Sequence, residues 1–135
     1  MGYFAPPRKL GTVQDILEFK NQSVILANPN DTLQAIINQM ATLGISQMPM
    51  TIGQGDLRMI EELDILRAVA GGEHSLEDVA RDIARPLEGQ VEPSQTLDQI
   101  QQVFEENNVA IVVEDGQVVG VVNKIDLLEF FTQQN

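Results

Sequence analysis

Asn123 and Asp126 are the residues of this chain whose types and spacing point most directly to chemistry. They stand three apart where Val118-Val119-Gly120-Val121-Val122 gives way to Ile125, Leu128 and Phe131. The first run is β-branched around one glycine, which reads as a strand covered on both faces. The second has helical spacing. Free N–H groups and the positive end of a helix dipole gather at such a junction. An amide and a carboxylate there can hold the hydroxyls of a small ligand. They also have a plainer use: Asn123 caps the helix and Asp126 reaches back, a variant of the capping box. Capping is the commoner use of such a pair. Gly120 inside the strand predicts a bulge or a close approach to the backbone.

Other chemistries find little support. The chain has no cysteine, which removes disulfides, thiolate metal sites and cysteine nucleophiles. That fits a reducing, cytoplasmic setting. The single histidine, His74, sits in a polar turn without an acid and a nucleophile beside it, and reads as a solvent residue. No nucleophile–base pair, metal cluster or phosphate loop is visible, so an enzyme acting alone is not expected, nor is a required cofactor or a metal. The net charge of −12 speaks against nucleic acid and anionic membrane surfaces as partners. No apolar run approaches the roughly 20 residues of a membrane span, and the first residues lack the apolar core of a signal peptide. Met40, Met48, Met50 and Met59 read as core filler. Glu105, Glu106, Glu114 and Asp115 read as a solvated rim.

A chain of 135 residues, 43% hydrophobic and with no tryptophan, fits one compact domain with an aliphatic core. Residues 1–11, with Pro6 and Pro7, form an extended tether. Val13, Ile16 and Leu17 mark a short helix, and Val24-Ile25-Leu26 a short strand. Asn30 or Asp31 caps a helix with Leu33, Ile36, Ile37, Met40 and Leu43 on one face, and Gly44 ends it. Ile45 to Met50 is a strand whose Pro49 marks an edge or an end. A turn at Gly53-Gln54-Gly55-Asp56 returns Leu57 to Ile60 as a strand. The helix from Glu61 to Ala70 turns Leu63, Leu66 and Val69 or Ala70 inward. The pattern then restarts: a short helix with Leu76, Val79 and Ile83 ends at Arg85-Pro86, and Val91 precedes Pro93. Ser94 caps a helix with Leu97, Ile100 and Phe104 inward. Val109 to Val113 is a strand, and Glu114-Asp115-Gly116-Gln117 turns into the closing strand and helix.

The two halves match. An offset of 64 takes Pro29 to Pro93, Thr32 to Thr96, Leu33 to Leu97 and Ile36 to Ile100. After the shorter second hairpin an offset of 62 takes Leu63 to Ile125, Asp64 to Asp126 and Leu66 to Leu128. The chain thus reads as a duplication, with repeats over 12–72 and 73–135. A unit of roughly 60 residues is marginal alone, and two packed face to face would cover each other's apolar surface. The pseudo-twofold implies two equivalent clefts.

This organisation resembles the tandem cystathionine β-synthase (CBS) domain, or Bateman module. The family's signature is Gly, two apolar residues, Thr or Ser, two variable residues and Asp. Here it stands as Gly120-Val121-Val122-Asn123-Lys124-Ile125-Asp126, with the Pro-x-x-Thr-Leu helix start at Pro29–Leu33 and Pro93–Leu97. Gly44-Ile45-Ser46-Gln47-Met48-Pro49 and Ile125-Asp126-Leu127-Leu128 carry a closer likeness to the C-terminal regulatory module of bacterial cystathionine β-synthase. The resemblance implies an α/β fold of two pseudo-twofold-related β-α-β-β-α repeats, each a small three-stranded sheet packed on helices. It implies that Asp126 binds a ribose diol with Asn123 assisting, that Val119 and Val121 line an adenine slot, and that Ile45, Ser46, Gln47 and Met48 close the cleft. Asn123 departs from the usual hydroxyl residue. In the first repeat Arg58 replaces the signature glycine and Glu61 the Thr, beside Asp64. That second cleft, lined also by Val109, Ala110 and Ile111, is expected to be empty or blocked, with Arg58 able to fill the space of a base.

Family ligands of this type are S-adenosylmethionine, AMP, ADP and ATP. With Lys124 the one obvious base near Asp126, and a strongly acidic chain, S-adenosylmethionine ranks first and AMP second. Lys124 reads equally as an exposed lysine. The expected role is a regulatory sensor acting on an attached or partner enzyme, as a homodimer. The alternative is an interaction module that assembles subunits and binds nothing small.

Overall fold

The computed structural model describes residues 11–133; all but Gly11 of the expected tether lies outside the described residues. Helix α1 (Val13–Lys20) starts at a capping box, in which Asp15 N donates to Thr12 Oγ1 and Thr12 N to Asp15 Oδ2. It ends at Asn21 in the left-handed region, φ 49°. Helix α2 (Leu33–Leu43) is capped by Thr32, whose Oγ1 accepts from Ala35 N, and ends at Gly44 with φ 67°. The cap is therefore Thr32 and not Asn30 or Asp31. Strands β1 (Gln47–Thr51) and β2 (Leu57–Glu61) form a hairpin, and helix α3 (Glu62–Ala70) follows. A single 3-10 turn at Ala80–Asp82 stands where a short helix was expected. Short strands β3 (Arg85–Pro86) and β4 (Gln90–Val91) come next. Helix α4 (Val103–Glu106), strands β5 (Val109–Glu114) and β6 (Gln117–Asn123) and helix α5 (Lys124–Gln133) close the chain.

The strands make two three-stranded sheets, ordered β1-β2-β3 and β4-β5-β6. Each backs one core. Leu33, Ile36, Met40, Met48, Met50, Ile60, Ile65 and Ala80 fill the first lobe. Val13, Ile16, Val91, Leu97, Ile100, Ala110, Val112, Val122 and Phe130 fill the second. Between the sheets, Val109, Ile111, Val113 and Val118 meet Val24, Leu57, Leu87 and Val121. This is the expected α/β pair of small three-stranded sheets with helices.

The lobes exchange their leading segments. Residues 11–20 precede the first sheet in sequence, yet α1 packs in the core of the second lobe, and residues 76–84 pack on the first. The exchange is symmetric in its hydrogen bonds. Leu97 N donates to Gly11 O as Leu33 N does to Asp78 O. Val13 N donates to Gln95 O as Ala80 N does to Asp31 O, and Gln14 N to Pro93 O as Arg81 N to Pro29 O. Bridges between Thr12 and Thr96 and between Thr32 and Val79 complete the correspondence.

Three expectations are corrected. Val24-Ile25-Leu26 is not a strand. In the second lobe β4 runs parallel to β5, with Ile111 N donating to Gly89 O. Ile111 corresponds to Pro49, which has no N–H, so the first lobe keeps only the bond from Ala27 N to Pro49 O. The helix expected from Ser94 is four residues long, preceded by turns and opened at Thr96, not Ser94, with Gln99 N on Thr96 Oγ1. Its apolar residues Leu97, Ile100 and Val103 recur every three, the 3-10 period, and Val103, Phe104 and Glu105 each donate three residues back. Finally, α3 buries Ile65, while Leu63 and Leu66 are 46% and 62% exposed; on α5 their counterparts Ile125 and Leu128 are 57% and 56% exposed.

Candidate functional site

The exchange brings four pieces of chain to one crevice: the end of α1, residues 22–25, strand β1, and the β6–α5 junction. Strand alternation decides which side chains reach it. On β1, Met48 and Met50 point into the first core, so Gln47 and Pro49 face the crevice, with Ile45 ahead of them. On β6, the register passes from Val112 opposite Gly120 to Val113 opposite Val118. Val119 is the extra residue of that bulge. Val121 and Gly120 line the crevice, and Val119 turns out to a neighbouring groove, 37% exposed. Gly120 admits a close approach: a Cβ there would crowd Leu17 Cδ2 of α1, which would have to shift.

At the crevice floor the capping box is formed. Asp126 N donates to Asn123 Oδ1 at 2.7 Å, and Asn123 N to Asp126 Oδ2 at 2.9 Å. The same Oδ2 also accepts from Lys20 Nζ at 2.7 Å, and Lys20 donates in addition to Val121 O. Lys20 and Asp126 side chains are 17% and 16% exposed. Capping and a ligand-facing position are therefore compatible: one carboxylate holds the helix start and opens on the crevice. The enclosed volume is about 160 Å³, below the roughly 300 Å³ at which ligand pockets usually begin. The Lys20 side chain stands within it.

Of the residues expected at this site, Asp126, Asn123, Val121, Ile45 and Gln47 come together. Ser46 lies instead on a groove between α2 and α3, its hydroxyl donating to Gln47 Oε1. Met48 is fully buried in the first core. Lys124 is exposed and off the crevice. Sequence reasoning missed Lys20, Leu17, Gln22, Ser23, Val24, Ile25 and Pro49. The signal for Pro49 was its alternation with Met48. None in the local sequence pointed to Lys20, which arrives by the exchange.

The pseudo-equivalent junction at β2–α3 is built differently. Glu61 N donates to Asp64 Oδ2 at 2.8 Å. Arg85 of β3 bonds Asp64 through Nε at 3.1 Å and Glu61 through Nη2 at 2.6 Å, and pairs with Glu88 at 3.3 Å. Burial works against the Arg85 charge, but Asp64 and Glu61 outweigh it and hold its pKa above the ordinary arginine value. Arg58, expected to fill this space, lies instead against Asp56, which raises its pKa through a two-toothed bond. Val109 and Ile111 are buried between the sheets, and Ala110 faces the opposite core.

His74 is not simply solvated: its Nδ1 stands 3.0 Å from Asp78. Among the described residues, no group of three or more His, Cys, Asp or Glu could hold a metal ion, and no helix is long and apolar enough to cross a membrane.

Residues 80–133 match the CBS domain family. Solved structures share the fold over most of the chain. A CBS-domain protein from Agrobacterium tumefaciens superposes with TM-score 0.76 at 20% identity, covering 97% of this chain and 99% of that one. A protein with CBS domains from Burkholderia ambifaria gives 0.76 at 24%, covering 92% and 96%. CBSX2, solved in complex with AMP, gives 0.76 at 15%, covering 92% and 98%. The chain shares the fold of these CBS-domain proteins, and in sequence the match to the family lies in residues 80–133.

Proposed function

We propose that this chain is a regulatory module that senses an adenosyl compound in the crevice at Asp126 and passes the signal to an attached or partner enzyme. The observation that carries this reading is the position of Asp126. Its carboxylate opens on a crevice whose walls, Val24, Ile25, Ile45, Pro49 and Val121, are apolar and suited to a flat base. Asn123, whose Oδ1 is used in capping, presents its amide N–H₂ as a donor. S-adenosylmethionine and AMP are the two candidates, and the AMP complex of CBSX2 supports the second. The crevice must widen to admit either, and the Lys20 side chain borders the space they would need. The Asp64 junction, where Arg85 fastens Asp64 and Glu61, is read as its closed counterpart.

Isothermal titration calorimetry with S-adenosylmethionine and AMP tests the reading, with Asp126→Ala as control. Binding by the native chain and a loss of tenfold or more in the variant is expected, since a diol would lose its charged acceptor. Heat that is absent throughout, or unchanged in the variant, would remove the site.

A second reading is an interaction module that binds nothing small. It is favoured by the exposed Leu63, Leu66, Ile125 and Leu128, which stand in symmetric pairs on α3 and α5. These helix faces suit a homodimer under either reading. A ligand-dependent rise in melting temperature separates the two.

A further inference from the structure

We propose that Lys20 sets the charge class of the ligand: the Asp126 crevice takes an adenosine nucleotide with one phosphate, in preference to adenosine, S-adenosylmethionine or ATP. This rests on the crevice being an adenosyl site. Lys20 and Asp126 are the charged residues that line it, and they neutralise each other at 2.7 Å. A ribose diol that takes up the Asp126 carboxylate removes the partner of Lys20. A cation four-fifths buried and left unpaired is costly. A neutral nucleoside cannot repair that loss. S-adenosylmethionine sets a sulfonium next to the ribose, a second positive charge close by, and its one carboxylate stands at the far end of the methionine arm beside an ammonium. A phosphate next to the ribose gives Lys20 a new anionic partner, so the pair is exchanged and no charge is stranded. The charge balance fits one phosphate better than three. The adjoining groove, which shares Leu17, Gln22 and Ser23 with the crevice, is bordered by Glu18 and Glu114. A longer phosphate chain entering it would meet two carboxylates.

The test is titration of the full chain and of Lys20→Met and Lys20→Arg with adenosine, AMP, ATP and S-adenosylmethionine. The native chain is expected to bind AMP about tenfold or more tightly than each of the others. In Lys20→Met the AMP-to-adenosine ratio should fall to about threefold or less, with adenosine binding retained or improved, which also shows the variant folded. Lys20→Arg should keep most of the preference. Equal binding of AMP and adenosine by the native chain, tighter binding of S-adenosylmethionine or ATP, or an equal loss of both adenosine and AMP in Lys20→Met would overturn the proposal and leave the adenosyl site standing. No binding of any of the four by either the native chain or Lys20→Met would overturn the site and this proposal together.

Discussion

At the head of α5 an aspartate faces a lysine; at the head of α3 its counterpart faces an arginine with two further acids. Lys20 gives Asp126 one point contact and spends its other bond on a backbone carbonyl. Arg85 is gripped by Asp64, Glu61 and Glu88 with its planar fork. An ammonium on a four-carbon stem can leave its partner by a few torsions. A guanidinium held on several sides cannot without leaving carboxylates facing each other. The same strand-to-helix junction has thus become a crevice with a movable occupant in one lobe and a fastening in the other.

The sharpest way to break this comparison is to remove the fastening. Arg85→Met leaves Glu61 and Asp64, 28% and 17% exposed, adjacent and unpaired. We expect a loss of about 2 kcal/mol in urea unfolding, less than for a fully buried pair because water still reaches the site. A loss no larger than that of Arg58→Met, whose partner is an exposed turn residue, would mean the two arginines are alike. Gly120→Ala comes next. The new Cβ would press on the Cδ2 end of Leu17, which must turn from its packing on the second core toward the crevice and groove it lines, so a cost of about 1 kcal/mol and a narrower crevice are expected. Arg58, at the equivalent place in the first lobe, already carries a side chain, and Arg58→Ala should change stability little.

Pro49→Ala sharpens the comparison at the sheet edge. It restores the N–H that Ile111 uses in the second lobe. The expected result is slowed amide exchange at position 49 and order in residues 24–26, with stability changed by about 0.5 kcal/mol or less, since the lost proline rigidity opposes the new bond. The smallest effect concerns acid. The Ser75 N–H and His74 hold the Asp78 carboxyl below the usual carboxylate range. Its contribution is complete above the ordinary carboxylate pKa and fades as pH falls through the lowered value. Exchange measured below pH 4 should therefore show residues 75–80 loosening, and Asp78→Asn should remove that pH dependence.

Much of this was legible in one dimension. The duplication, the two hairpins, α1, α2 and the Asn123–Asp126 pair follow from spacing and cap chemistry, which act within a few residues. Gly120 announced the close approach of Leu17, and the bulge falls one residue before it. The misses have a common cause: neighbours along the chain were treated as neighbours in space. Gln47 and Met48, or Ile111 and Ala110, lie on opposite faces of one strand. Val119 left its face because the bulge adds one residue to the count. Lys20 lies 106 residues from Asp126 along the chain and Arg85 lies 21 from Asp64, and no local pattern encodes such a meeting. Leu63 and Leu66 fit a helical stripe, but that stripe is the outer one.

The swapped leading segments bear on how the molecule must fold. Thr12 joins Thr96, so the second core is complete only when the start of the chain meets a segment more than half the chain away. A chain cut between residues 72 and 73 would leave one piece without Ala80 and the other without Val13 and Ile16. Such non-local closure slows folding, because loop entropy is lost before contacts repay it. It also welds the halves into a single cooperative unit: whatever loosens one is felt in the other.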